Sequence, residues 1–168
     1  NLFADDYDAG RFFTGPYAGR PAAIRDHVRG VLVNPNNELP LNAVPLHTLG
    51  RFMHAAADVD PRAAYLEAMR AWLPSFRLLP CGEEPRPPIS FDDLVLLGDC
   101  FYLPHEHGAG ARRLLEAAEG ALARGDAADA AEVRGLATRL VAVTNRLADL
   151  EDRGLVHAMA RRLWALRD

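Results

Sequence analysis

The 168-residue sequence contains no lysine; all 19 basic residues are arginine. Together with abundant alanine, this reads as the coding bias of a GC-rich genome rather than as chemistry. Long apolar runs are absent too. None approaches the ~20 residues that cross a bilayer, so no membrane partner is expected. Positive charge is not in excess: 23 acidic residues outnumber the basic ones and leave a formal net charge of −4. That balance argues against a nucleic-acid partner held by phosphate neutralisation. Two cysteines, Cys81 and Cys100, allow at most one disulfide, and their spacing fits no zinc motif. There is no phosphate loop, no dinucleotide fingerprint and no Ser-His-Asp order, and no cofactor is expected. No methionine precedes Met53, so Asn1 is not expected to be a translation start and further sequence is expected upstream. What is present, 49% hydrophobic and 25% charged residues, suits a soluble globular chain with one core or two small ones.

Texture changes along the chain. Residues 1–45 are rich in Gly, Pro, Asn, Asp and aromatics and hold one short β-branched run, Val31-Leu32-Val33. Gly30 before it and Asn34-Pro35-Asn36-Asn37 after it predict a buried strand followed by a polar loop. Pro21 suits the first turn of a short helix through Val28, and Pro45 opens a helix with Leu46, Leu49, Phe52 and Met53 on one face. From Asp60 onward the sequence is helical almost throughout. Asp60-Pro61 is a cap and first-turn pair for a helix through Tyr65, Met69 and Trp72. Four prolines between Pro80 and Pro88 predict a linker. Ser90 starts a helix with an acidic first turn and an expected end near Pro104; Gly108 and Gly110 separate it from a helix over residues 111–124. Asp126 caps a further helix whose Val133, Leu136, Leu140, Val143, Leu147 and Leu150 recur at steps of three and four. Gly154 is expected to end it. Leu155, Met159, Leu163 and Leu166 pattern the last helix. The order predicts a mainly α chain: the last βα piece of a repeat protein, then an antiparallel helical bundle.

Several clusters could carry chemistry. Asp5, Asp6 and Asp8 place three carboxylates within four residues, able to bind a cation, accept from sugar hydroxyls or act as an acid/base pair; a solvated acidic turn is the alternative. An EF-hand is excluded, because the loop glycine and closing glutamate are missing. Asn34-Pro35-Asn36-Asn37-Glu38 follows the expected strand, where a β/α barrel presents ligand contacts, though Asn and Pro also serve turns. His105-Glu106-His107 lacks the i, i+4 histidine spacing of a helical metal site and reads as a polar loop. His47 and His54 read as partly buried structural histidines, and Cys100, beside Leu97, Phe101 and Leu103, as a buried inert thiol.

Two groups of residues carry a resemblance. Asn1-Leu-Phe-Ala-Asp-Asp-Tyr-Asp8, Gly15-Pro16-Tyr17, Gly19-Arg20 and Gly30-Val-Leu-Val-Asn-Pro-Asn-Asn-Glu38 resemble late catalytic-domain segments of family 84 glycoside hydrolases. These are the O-GlcNAcases and the hyaluronidase-like β-N-acetylglucosaminidases of bacteria. Phe101-Tyr-Leu-Pro-His-Glu-His-Gly108 resembles a phrase in the helical stalk that follows the barrel in O-GlcNAcases. The groups occur in the family's order, with the Val44-Pro-Leu-His-Thr-Leu49 helix between them.

The resemblance implies residues 1–58 as the C-terminal segment of a (β/α)8 TIM-barrel catalytic domain and 59–168 as a helical-bundle stalk domain. It implies that Asn1, Asp6 and Asn34 contact the hydroxyls of the sugar. A carboxylate can accept from two hydroxyls, and an amide can donate and accept, which suits a neutral polyol. The family's reaction is substrate-assisted and retaining: the 2-acetamido oxygen attacks the anomeric carbon, aided by a pair of adjacent aspartates. That pair belongs to an earlier strand, so no catalytic residue is assigned here. Asp5-Asp6 imitates it in letters alone. Asp5 stands where the family's mammalian enzymes carry Asn, and His105 where Tyr is usual in the stalk phrase, and neither receives a role. The implied partners are the N-terminal remainder of the barrel and a protein or glycan bearing N-acetylglucosamine, and the chain alone is expected to be inactive. The alternative is an interaction module forming a homodimer through the Val133–Leu150 stripe, with a non-catalytic barrel remnant.

Overall fold

Free amides at a helix start need acceptors, and this chain supplies them from short polar side chains. The structure, a computed structural model, describes residues 13–80 and 87–167. A 3-10 turn at Ala22–Asp26 and another at Leu39–Asn42 precede α1 (Ala43–His54). Asp60 accepts from the Ala63 amide and Pro61 fills the first turn of α2 (Pro61–Trp72). Ser90 accepts from the Asp93 amide at the start of α3 (Phe91–Cys100). After α4 (Ala109–Arg124), Asp126 accepts from the Ala128 and Asp129 amides and opens α5 (Ala127–Arg146); α6 (Arg153–Arg167) follows. All three caps stand where the sequence places them. Among the described residues no helix is long and apolar enough to cross a membrane.

The structure is mainly α, and it differs from expectation in several places. Val31–Val33 joins no ladder; among the described residues the β pairing consists of two isolated bridges, Leu78 with Leu150 and Leu103 with Glu106. A strand exists only through a neighbour's amides and carbonyls, and none of the described segments pairs its backbone with this run. In α1 the buried side chains are Val44, Pro45, Thr48 and Phe52, while Leu46 is exposed. The helix begins two residues before Pro45, which sits in its first turn. α3 ends at Cys100, short of Pro104, because Phe101 leaves helical geometry and the chain doubles back so that the Gly108 amide donates to the Asp99 carbonyl, 2.9 Å. Gly110 lies inside α4 and Gly154 inside the first turn of α6. A 3-10 turn at Leu147–Asp149 closes α5, and extended Leu150 drops into the core.

The larger hydrophobic cluster joins Tyr65 and Met69 of α2, Leu94 and Leu97 of α3, Leu136, Leu140 and Val143 of α5, and Leu155 and Met159 of α6. Leu41 and Val44 belong to the same cluster. The α5 stripe, with Leu147 and Leu150, is thus covered within the protomer; Val133 is half-buried. A smaller cluster around Tyr17 and Phe52 packs Ile24, Val33, Leu49 and Met53.

Candidate functional site

Position in the run 31–33 decides what the following loop presents. Leu32 is 99% exposed, whereas Val31 and Val33 are half-buried, the alternation of an extended segment. Gly30, Val31 and Leu32 form one wall of a shallow groove of about 320 Å³ facing Tyr17, Ile24 and Val28. Beyond the run, Asn34 is exposed. Asn36 points the other way and is 8% exposed. Its amide donates to Asn42 Oδ1 and its carbonyl accepts from Asn42 Nδ2, both at 2.7 Å. Two amides of one loop therefore divide the work, one closing the turn and the other facing outward.

Residues 14–26 are fastened from two sides. The Tyr17 amide donates to Thr48 Oγ1 (2.9 Å) on α1, and the Tyr17 and Phe52 rings lie 4.9 Å apart. Arg25 donates to the Phe52 carbonyl (2.6 Å) with its guanidinium over the Phe52 ring. On the other side, Thr14 donates from its amide to the Phe101 carbonyl (2.7 Å) and from Oγ1 to the Gly98 carbonyl (2.8 Å). Gly15 presses so closely on the Tyr102 carbonyl oxygen that a Cβ there would overlap it. The two motif groups read from the sequence are thus in contact.

The second group is organised around Asp99, 1% exposed in α3. Its carboxylate receives Arg62 Nη1 and Nη2 at 2.5 and 3.1 Å and the Gly110 amide at 2.7 Å. Gly108 passes against it with no room for a Cβ. The guanidinium also lies over the rings of Tyr65 and Tyr102, 4.8 and 5.6 Å from their centroids. Burial works to lower the Arg62 pKa, but the hydrogen bond and charge of Asp99 outweigh it and hold it above its ordinary value. Burial, reinforced by Asp99, pushes the Tyr65 phenol far up; burial likewise raises Tyr102. Neither the Arg62 guanidinium nor the two phenols are poised to exchange a proton near neutrality. It is a fixed scaffold, bordered by a concavity of about 360 Å³ between Pro16, Ala18, Asp60, Arg62, Tyr102 and Glu106.

The other candidates separate clearly. Asn1 and Asp6, with Asp5, Asp8 and Cys81, lie outside the described residues; Asn34 is the sugar-contact candidate that lies within them. His47 is half-buried as expected, whereas His54, at the end of α1, is exposed. His105, Glu106 and His107 are all exposed, and Glu106 pairs with Arg112 at 3.4 Å. Among the described residues no three His, Cys, Asp or Glu side chains converge on a metal position. Cys100 is half-buried, donates to the Leu96 carbonyl at 3.4 Å, and burial pushes its thiol up to about 11. Sequence reasoning missed Arg62 and Asp99, and it placed Asn36 in a candidate ligand loop where the fold makes it a buried anchor. One signal was available: Asp99 follows Leu94, Leu96 and Leu97 in the apolar second half of α3, where a carboxylate demands a partner.

Residues 1–76 match the family described as beta-N-acetylglucosaminidase. Protein O-GlcNAcase of Rattus norvegicus and that of Mus musculus are each 49% identical to this chain over 49 residues. That stretch is 29% of this chain and 5% of either relative, so the chain spans a small fraction of the proteins it matches.

Proposed function

We propose, from the match of residues 1–76 to the beta-N-acetylglucosaminidase family, that the chain is part of an enzyme that removes terminal β-linked N-acetylglucosamine, in the manner of a protein O-GlcNAcase, carrying the end of its barrel and the stalk that follows. In this reading residues 1–58 complete a TIM barrel and 59–168 form the stalk. Val31–Val33 becomes a strand once the preceding barrel strands supply its neighbours, which accounts for an apolar run with Leu32 in solvent. Asn34 then stands at the C-terminal end of that strand, where barrels hold their ligands.

The observation that carries the proposal is the family match over the stretch holding Asn1, Asp6 and Asn34. Those side chains bind sugar hydroxyls, and an aspartate pair on an earlier strand serves the substrate-assisted, retaining reaction. The homodimer reading draws no support from the α5 stripe, which is spent on the protomer's own core.

In the full-length enzyme, Asp6→Ala and Asn34→Ala should each lower kcat/KM for an aryl β-N-acetylglucosaminide about 10- to 100-fold, the loss expected for one hydrogen bond to a buried or charged partner. Near-normal kcat/KM in both variants would overturn the assignment. An upstream sequence without an adjacent aspartate pair after a strand would turn the reading to a binding protein.

A further inference from the structure

Arg162 of α6 and Asn36 stand 126 positions apart and meet in the fold. Arg162 is 8% exposed. Its Nη1 donates to the Ala158 carbonyl at 2.7 Å, one turn back along α6, which fixes the direction of the side chain. Its Nη2 donates to Asn36 Oδ1 at 3.3 Å, and the same oxygen accepts the Glu38 amide at 2.8 Å. With Asn42 holding the main-chain amide and carbonyl, Asn36 is gripped at every point where its backbone could shift. A buried guanidinium needs well-placed acceptors, and Asn36 Oδ1 is one of them, so the helix and the loop hold each other in register.

We infer that Arg162 is a positioning residue for Asn34, so that the last helix of the stalk sets where the barrel's final loop presents its amide to the sugar. This rests on the reading of Asn34 given above. The link between anchor and amide is short and stiff. Pro35 locks its own φ and restricts the residue before it to extended backbone. Fixing Asn36 therefore fixes Asn34, whose side chain stays exposed. Misplacement of a substrate contact by about 1 Å can cost as much as about 100-fold in rate, so a distant anchor has leverage.

The test uses the full-length protein with Arg162→Met, Arg162→Lys, Asn34→Ala and, as a packing control in the same helix, Met159→Ala. The readouts are amide hydrogen exchange and steady-state kinetics on an aryl β-N-acetylglucosaminide. Arg162→Met should speed exchange of the Asn36 and Glu38 amides about tenfold, leave α2 and α3 unchanged, and raise KM more than it lowers kcat, with kcat/KM down about tenfold. Arg162→Lys, which keeps a charged donor, should recover much of both, and it carries the test if Arg162→Met does not fold. Unchanged exchange at residues 36–38, or a kinetic loss no larger than that of Met159→Ala, overturns the inference. Wild-type kinetics in Asn34→Ala overturn the sugar reading itself. Faster loop exchange in Arg162→Met beside that result would reduce Arg162 to a fold anchor and end its positioning role.

Discussion

Arg62 meets the Asp99 carboxylate through two bonds, at 2.5 and 3.1 Å, and so ties the first turn of α2 to the last turn of α3. The carboxylate is 1% exposed and the arginine side chain 33%. Removing the arginine strands a charge that water cannot reach, while the arginine itself retains a route to solvent. Arg62→Met should therefore destabilise the chain by about 2–4 kcal/mol, toward the lower end of the cost of breaking a buried pair. Urea unfolding measures it, and a loss below about 0.5 kcal/mol would show the pair to be ornamental.

Thr14 and Gly15 fasten the segment before α1 to the turn after α3. Thr14→Val removes the hydroxyl that serves the Gly98 and Phe101 carbonyls and should cost about 1 kcal/mol. Gly15→Ala drives a methyl group into the Tyr102 carbonyl and should cost more, about 2–3 kcal/mol. Thermal unfolding should rank them in that order; equal effects would mean that the segment moves aside freely.

Acid should loosen the start of α3. Burial works to raise the Asp93 pKa, but hydrogen bonds from Ser90 and Arg139, with the Arg139 charge, hold it below the ordinary carboxylate value. Because the folded pKa is depressed, this contribution is complete above the unfolded value, about 3.9, and disappears as pH falls through the lower folded value. Arg139 is 43% exposed, so Arg139→Met should cost no more than about 1 kcal/mol at pH 7. The gap to the unmodified chain should close at the acid end of a pH series. A gap that widens there would reverse the assignment.

Cys100 should be slow toward alkylation. With its thiol pushed up to about 11, the thiolate is scarce at pH 8, and iodoacetamide should label it at least about a hundredfold more slowly than free cysteine. Peptide mass spectrometry distinguishes Cys100 from Cys81. Labelling as fast as free cysteine would mean that α3 opens readily.

Local chemistry was legible in the sequence, and distant pairing was not. Asp60, Ser90 and Asp126 announced their helices because a cap acts on amides two or three residues away. The steps of three and four through Leu136, Leu140, Val143 and Leu147 marked a buried face for the same reason. Val31–Val33 shows the opposite case: β-branched spacing states a preference, but pairing needs a neighbour that the described residues do not provide. Arg62 with Asp99 and Arg162 with Asn36 join positions far apart, and nothing in either local sequence names its partner. At the candidate site, the place after an apolar run marked the whole Asn34–Glu38 cluster; the family resemblance singled out Asn34, and Asn36, two residues on, was told apart by position only once the fold buried it.

The Leu79 amide donates to the Asp149 carbonyl at 2.8 Å and the Glu151 amide to the Arg77 carbonyl at 2.9 Å, either side of the Leu78–Leu150 bridge. The residues just before position 80 are thereby laced to the corner between α5 and α6, and α2 is packed against α3 across the same interval. A covalent break between residues 80 and 87 would spare all of these bonds. Two co-expressed polypeptides, divided there, would reassociate as a complementation pair, with the lacing and the common interior substituting for the severed peptide link.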